Sequence, residues 1–136
     1  MKRSVLKFEN PELKKLEFYI NDQFDSPEGI NLKISSQTRI HKEDDYAIVE
    51  LEVMVFEKGD NRYPFNIDIC MAGNFRWNQE VTEETLEQLL KCNAPAILLG
   101  YIRPYISSVT TGAGYPPLIL PLMDFNSNDD STIEPW

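Results

Sequence analysis

Val49, Leu51, Val53 and Val55 alternate with Glu50 and Glu52, a strict period of two. Successive side chains of a strand leave opposite faces, so this stretch has one dry aliphatic side and one wet charged side. An aliphatic sheet face cannot stay open to water, and the rest of the chain has to cover it. Flanking segments carry the same signature. Leu16, Phe18 and Ile20 alternate with Glu17 and Tyr19, and Ile30, Leu32 and Ile34 alternate with Asn31 and Lys33. After the turn Lys58-Gly59-Asp60-Asn61, residues Phe65, Ile67, Ile69 and Met71 resume the alternation against Asn66 and Asp68. Short connections between such strands predict an antiparallel meander of four. Gly73 is expected to end or bulge the last strand before Phe75 and Trp77.

The cover comes from helices. Thr82 is placed as an N-cap, followed by Glu83 and Glu84 where carboxylates suit free N–H groups. Leu86, Leu89 and Leu90 give a short helix that ends near Cys92-Asn93. Pro95 opens a second helix, in which Ile97, Leu98, Tyr101, Ile102, Tyr105, Ile106 and Val109 repeat at helical spacing. Pro104 lies inside it and predicts a bend or a lost hydrogen bond. Thr111-Gly112-Ala113-Gly114 stops the helix, and the proline-rich run from Tyr115 to Leu122 can only be extended. The fold class is therefore α+β, a four-stranded antiparallel meander with a long C-terminal helix on one face. Residues 1–125 are expected to form one domain, and residues 126–136 a disordered acidic tail.

Charge narrows the function. The 136 residues carry a net charge of -9, with the acidic excess after residue 42. That balance opposes nucleic acid and anionic membrane partners. The longest apolar stretch, residues 94–102, is far short of the roughly 20 needed for a span, and residues 1–9 hold no signal-peptide core. Cys70 and Cys92 form no C-x-x-C pair, so a reducing cytoplasm is the expected compartment. His41 is the single histidine, and no cluster has metal-ligand spacing. Gly112-x-Gly114 follows a helix and is not aimed at a phosphate. Glu50 and Glu52 share an outward face, as exposed strand glutamates commonly do. No catalytic constellation, cofactor or metal site is expected. What stands out is surplus apolar surface, from the broad second helix, the 118–122 stretch, and Phe18, Tyr19, Phe24, Tyr46, Met54 and Phe56 near sheet ends. Such surface suits a homo-oligomer, or grooves for extended polypeptide, or both.

The segment Leu89-Leu90-Lys91-Cys92-Asn93-Ala94-Pro95-Ala96-Ile97-Leu98-Leu99-Gly100-Tyr101, with Ser107-Ser108 and Gly114-Tyr115-Pro116-Pro117-Leu118-Ile119-Leu120-Pro121, resembles the SecB export-chaperone family. That family shows a Cys/Ala-Pro-x-x-Leu-Phe-Pro-Tyr-Ala-Arg helix, a Gly-x-Phe-Pro-Pro turn and a Leu-x-Leu-x-Pro stretch. The similarity spans residues 13–125, with Asp45-Tyr46 to Val55 and Phe65 to Phe75 in the third and fourth strand positions. It implies a dimer of dimers in which two eight-stranded sheets sandwich the helices. It also implies an ATP-independent holdase that keeps non-native or export-bound chains translocation-competent. Client-groove positions carried across from the family are Ile30, Leu32 and Ile34, then Ile69, Met71 and Phe75, then Tyr101, Val109, Leu118 and Leu120.

Three features depart from the pattern. Ser26-Pro27-Glu28 stands where the family has a bulky aromatic, with Phe24 close by. The amphipathic helix after the Asn-Phe motif is absent, since Asp124-Phe125 runs into the polar tail. Of the outer-face positions that meet the SecA motor, Lys15, Tyr19, Asn66 and Asp68, only Asp68 is acidic, which makes it the candidate translocase contact. The implied client is an exported precursor or the antitoxin of a toxin–antitoxin pair. The rival expectation is an oligomeric adaptor of the same fold with one dedicated folded partner.

Overall fold

The computed structural model describes residues 6–26, 29–121, 123–125 and 131–135. Four long strands lie in a meander: β1 (Leu6–Ile20), β2 (Asn31–Lys42), β3 (Tyr46–Val55) and β4 (Phe65–Trp77). A short helix α1 (Glu83–Gln88), a π-helical turn (Leu89–Asn93) and α2 (Ala94–Gly112) follow, and a last strand β5 (Ser131–Pro135) ends the described chain. The sheet order is β1-β4-β3-β2-β5 with every pair antiparallel. The four-stranded antiparallel sheet with a helix packed on one face is the architecture that the alternation predicts.

The alternating residues do what their period requires. Val49, Leu51, Val53 and Val55 of β3 and Ile69 and Phe75 of β4 have no exposed surface. Helix α2 lays Leu98, Ile102 and Ile106, each fully buried, across them. These three repeat every fourth residue and so form one stripe.

Gly73 corrects one expectation. It neither ends nor bulges β4, which runs through it in continuous register with β3 from Trp77's neighbour Arg76 back to Ile67. A Cβ on Gly73 would sit 2.4 Å from Cε2 of Phe8 and 3.2 Å from Leu98. The missing side chain makes room for the Phe8 ring beneath the helix. The irregularity lies in β1 instead, where the register against β4 shifts between Glu9 and Glu12 and again between Leu13 and Lys15. Asn10 takes the left-handed region there, at φ 53°.

The helical part also differs in detail. Thr82 caps α1, its hydroxyl accepting from the Thr85 amide at 3.2 Å. No break separates the two helices at Cys92-Asn93, because Leu89, Asn93 and Ala94 all keep right-handed helical angles. Pro95 has no N–H to give, and the ladder just before it widens, with the Ala94 amide donating to the Leu89 carbonyl. The helix continues through Pro104, which faces outward with Gly100 below it in open space. Gly114, at φ 89°, then terminates it: the Tyr115 amide donates to Thr110 O and the Gly114 amide to Thr111 O.

The tail reading needs correction as well. Residues 131–135 are not free chain but pair with Asn31–Ser35 of β2. Backbone pairing to an open strand edge leaves no apolar pattern in the sequence that does it. Residues 126–130 and 136, also read as tail, lie outside the described residues.

Candidate functional site

The ten groove positions separate by depth. Leu32, Ile34, Ile69, Met71, Phe75, Leu118 and Leu120 are at most 4% exposed and belong to the core. Ile30 and Val109 are half-buried, and Tyr101 is 44% exposed. Seven side chains thus spend their apolar area inside the protomer and three retain surface. Their strand alternation looks the same in either role, since a helix lid hides a sheet face as completely as a client would.

Leu118 and Leu120 owe their burial to Thr110. Its hydroxyl donates to Ile106 O at 2.9 Å and accepts from the Leu118 amide, also at 2.9 Å, with no exposed surface of its own. Arg103 adds a second tether, its guanidinium donating to Leu120 O at 3.0 Å. The extended segment is therefore strapped to the last turns of α2, with Ile119 left 76% exposed between its two buried neighbours. Sequence reasoning passed over Thr110, although a threonine that continues the Leu98–Ile102–Ile106 stripe is a signal for a back-bonded hydroxyl.

Two apolar regions stay open. One is the second stripe of α2, formed by Ile97, Tyr101 and Tyr105 at spacings of four and 37–44% exposed. The Tyr101 ring stands 5.5 Å from Phe8, which in turn meets Phe75 at 5.0 Å. The breadth of apolar positions in this helix foretold two stripes, and the structure assigns one inward and one outward. The other region is an aromatic cluster at the turn end of the sheet. Phe65 touches Phe18, Phe56 and Tyr115 at 5.4, 5.3 and 5.0 Å, and Phe56 stacks on Tyr63 at 4.7 Å. Phe18, Tyr63 and Tyr115 are half-buried. Ile20 and Phe24 extend the cluster outward at 53% and 37% exposure. Asn21 and Asp25, beside them, hydrogen-bond through their amides to Pro64 O and Asn61 O. Phe24 thus supplies an aromatic at this end of the sheet although the position nearer β2 lacks one.

The outer face is ionic. Lys15 donates to Asp68 at 2.7 Å and to Glu52 at 3.4 Å, while Arg39 donates to Glu50 and Glu52, both at 3.0 Å. Burial pushes the Asp68 carboxyl above the usual aspartate value, and its hydrogen bond to Glu52 adds to the rise. Glu52 is held below its ordinary value by that same bond and by Arg39 and Lys15. Asp68 is the member of the pair that keeps a proton longer, and Lys15 holds its Oδ2 at 2.7 Å. Burial also raises the Cys70 thiol, which lies 3.4 Å from Arg39. A groove of about 540 Å³ between Ile40 and α1 is rimmed by charge, including a Lys42–Glu83 ion pair at 2.8 Å. Among the described residues no group of His, Cys, Asp or Glu could hold a metal ion, and no helix is long and apolar enough to cross a membrane.

Comparison with known proteins agrees with this geometry. The family described as SecB, preprotein translocase subunit SecB, matches residues 5–128. An uncharacterized protein of Methanocaldococcus jannaschii is 32% identical over 126 residues, 88% of this chain and 79% of that one. The protein-export protein SecB of Orientia tsutsugamushi strain Boryong is 29% identical over 133 residues, covering 86% and 82% of the two chains. Among solved structures, the Mycobacterium tuberculosis SecB-like chaperone Rv1957, in complex with a ChAD peptide from the HigA1 antitoxin, superposes with a TM-score of 0.68. It shares 16% identity, and the match covers 87% of this chain and 90% of that one. A Streptococcus agalactiae protein of unknown function superposes at 0.53 with 13% identity, over 86% of this chain and 97% of that one. With the helix-turn motif, the four-stranded meander and the family match spanning nearly all of it, this chain belongs to the SecB family.

Proposed function

We propose that this protein is an ATP-independent holdase that binds non-native polypeptide and works as a homo-oligomer in the cytoplasm. Membership of the SecB family supports a chaperone role. The observation that carries the finer reading is the open apolar surface, divided between the Ile97–Tyr101–Tyr105 stripe and the aromatic cluster ending at Ile20 and Phe24. An aliphatic-aromatic helix stripe beside a long strand edge suits self-association. β1 is an outer strand, and pairing two copies there would join their four-stranded meanders into the family's eight-stranded sheet, with β5 at each far edge and the α2 stripes facing each other. The aromatic cluster, with Ile30 and Val109 partly open, is then the client groove. Rings and aliphatic side chains contact varied sequences through area rather than through hydrogen-bond codes.

Binding of a protein held unfolded by reduction and carboxymethylation tests this, read by calorimetry beside the same protein in its native form. Binding of the unfolded form alone, weakened by Val109→Asp or Phe24→Asp with oligomer and thermal midpoint unchanged, is the expected result. A folded protein indifferent to the unfolded form would overturn the holdase. A second reading is a dedicated chaperone for one partner. The solved relative that holds an antitoxin peptide favours it, as does the tying of Asp68 to Lys15, which pairs the acid expected to meet SecA. Saturable binding of a single native protein would select that reading.

A further inference from the structure

The buried groove residues of β2 leave their backbone as the part a client can reach. Leu32 and Ile34 point their side chains into the core, yet their peptide groups lie along the side of β2 where β5 sits. Which groups face that side follows from one bond. The Lys33 carbonyl accepts from the Phe56 amide at 2.8 Å, so Lys33 directs its backbone groups toward β3. In an antiparallel ladder the N–H and C=O of one residue point the same way and alternate along the strand. Leu32 and Ile34 therefore present theirs to β5, where they stand opposite Glu134 and Thr132. Asn31, Lys33 and Ser35 stand opposite Pro135, Ile133 and Ser131 at positions that exchange no bonds. Pro135, which has no N–H, occupies one of these without loss.

We propose that this edge of β2 is a strand-addition site for extended non-native polypeptide, which the chain's own 131–135 segment occupies until a client displaces it. The inference rests on the holdase reading and specifies where its client is held. Recognition by backbone is indifferent to side chains, which is what a binder of unrelated unfolded chains needs. The resident strand itself shows the tolerance, because Ser-Thr-Ile-Glu-Pro carries no alternating apolar pattern. Its hold is short, limited to two bonding pairs, and so suited to exchange. The site also adjoins the aromatic cluster: β2 begins next to Ile30, and the Phe56 whose amide donates to the Lys33 carbonyl belongs to that cluster. A client strand seated here would pass directly onto those rings.

A resident segment lowers apparent client affinity by the fraction of time it is seated. A segment in place about nine-tenths of the time weakens binding about tenfold. Two full-length variants separate its effect. Thr132→Pro removes an N–H that faces β2, whereas Ser131→Pro removes one that faces away. The probe is the reduced, carboxymethylated protein, with amide hydrogen exchange at Leu32 and Ile34 as a second readout. Thr132→Pro should bind the probe about tenfold more tightly than the parent, and Ser131→Pro should match the parent. In Thr132→Pro the Leu32 and Ile34 amides should exchange fast alone and slowly with probe bound. Equal affinity of Thr132→Pro and parent, or Leu32 and Ile34 amides left open in the bound complex, would overturn strand addition while leaving the holdase standing. Failure of every version to bind the probe would overturn the holdase itself.

Discussion

Thr110→Val is the sharpest test of how the extended segment is held. Valine keeps the volume and branching of threonine, so no cavity forms and the change isolates the hydroxyl. The Ile106 carbonyl that the hydroxyl approaches lies four residues back in α2 and keeps its place in the helix ladder, so losing that contact costs little. The Leu118 amide is different. Its acceptor is the Thr110 hydroxyl at 2.9 Å, and with Leu118 only 1% exposed, water cannot replace it. A buried donor left without a partner costs about 1–3 kcal/mol, and about 2 kcal/mol is expected here. In a domain of this size that lowers the thermal midpoint by roughly 6–10 °C. Thr110→Ser is the control, since it keeps the acceptor and loses one buried methyl, about 1 kcal/mol. Urea unfolding at fixed protein concentration gives both values, and hydrogen exchange at the Leu118 amide should speed up in the valine variant alone. If valine proves as stable as serine, the hydroxyl does not hold the segment.

Gly73→Ala should destabilise by about 1–3 kcal/mol through the clash with Phe8, and Phe8→Ala should relieve part of that loss in the double variant, measured by a denaturation cycle. Tyr101→Asp places a charge in the outward stripe of α2 and should shift the protein toward protomers in sedimentation while far-ultraviolet circular dichroism stays unchanged. Asp68→Asn addresses the outer face. A carboxyl whose folded pKa lies above its unfolded one binds its proton more tightly when folded, so its stabilisation is full at low pH and fades as pH rises through the folded value. Asp68 is raised in this way, so Asn should match or exceed the parent's stability at neutral pH, with the difference closing as pH falls below the raised aspartate value in pH-dependent unfolding.

The strands with clean alternation were legible because one face of each is covered, as the complete burial of Val49, Leu51, Val53 and Val55 shows. The first ten residues of β1 were not, because the register shifts around Asn10 break the period on which such reading depends. The helix was legible as a broad apolar element, but not which stripe would be inward. Leu98, Ile102 and Ile106 are set apart from Ile97, Tyr101 and Tyr105 by the angle at which the helix meets the sheet, and both stripes read as apolar at helical spacing. Likewise the groove positions expected from the family could not be told from core positions, because a strand aliphatic that lines a groove and one that fills a core have the same neighbours in sequence. Ser131–Pro135 left no trace at all, for strand pairing through peptide groups requires no particular side chains.

The irregular stretch of β1 has a consequence for what can dock on the outer edge of the sheet. Chains that have lost their fold carry bare strands in search of partners, and a long flat outer strand invites them to stack upon it and grow into fibres. β1 spans fifteen residues and would be such an invitation if it were uniform. The left-handed Asn10 and the two offsets beside it interrupt the template midway, so no incoming strand can lie in one register along its full length. A copy of the same strand brings a matching interruption, and a random sequence does not. The defect in the ladder thus guards the outer edge of the sheet against open-ended stacking.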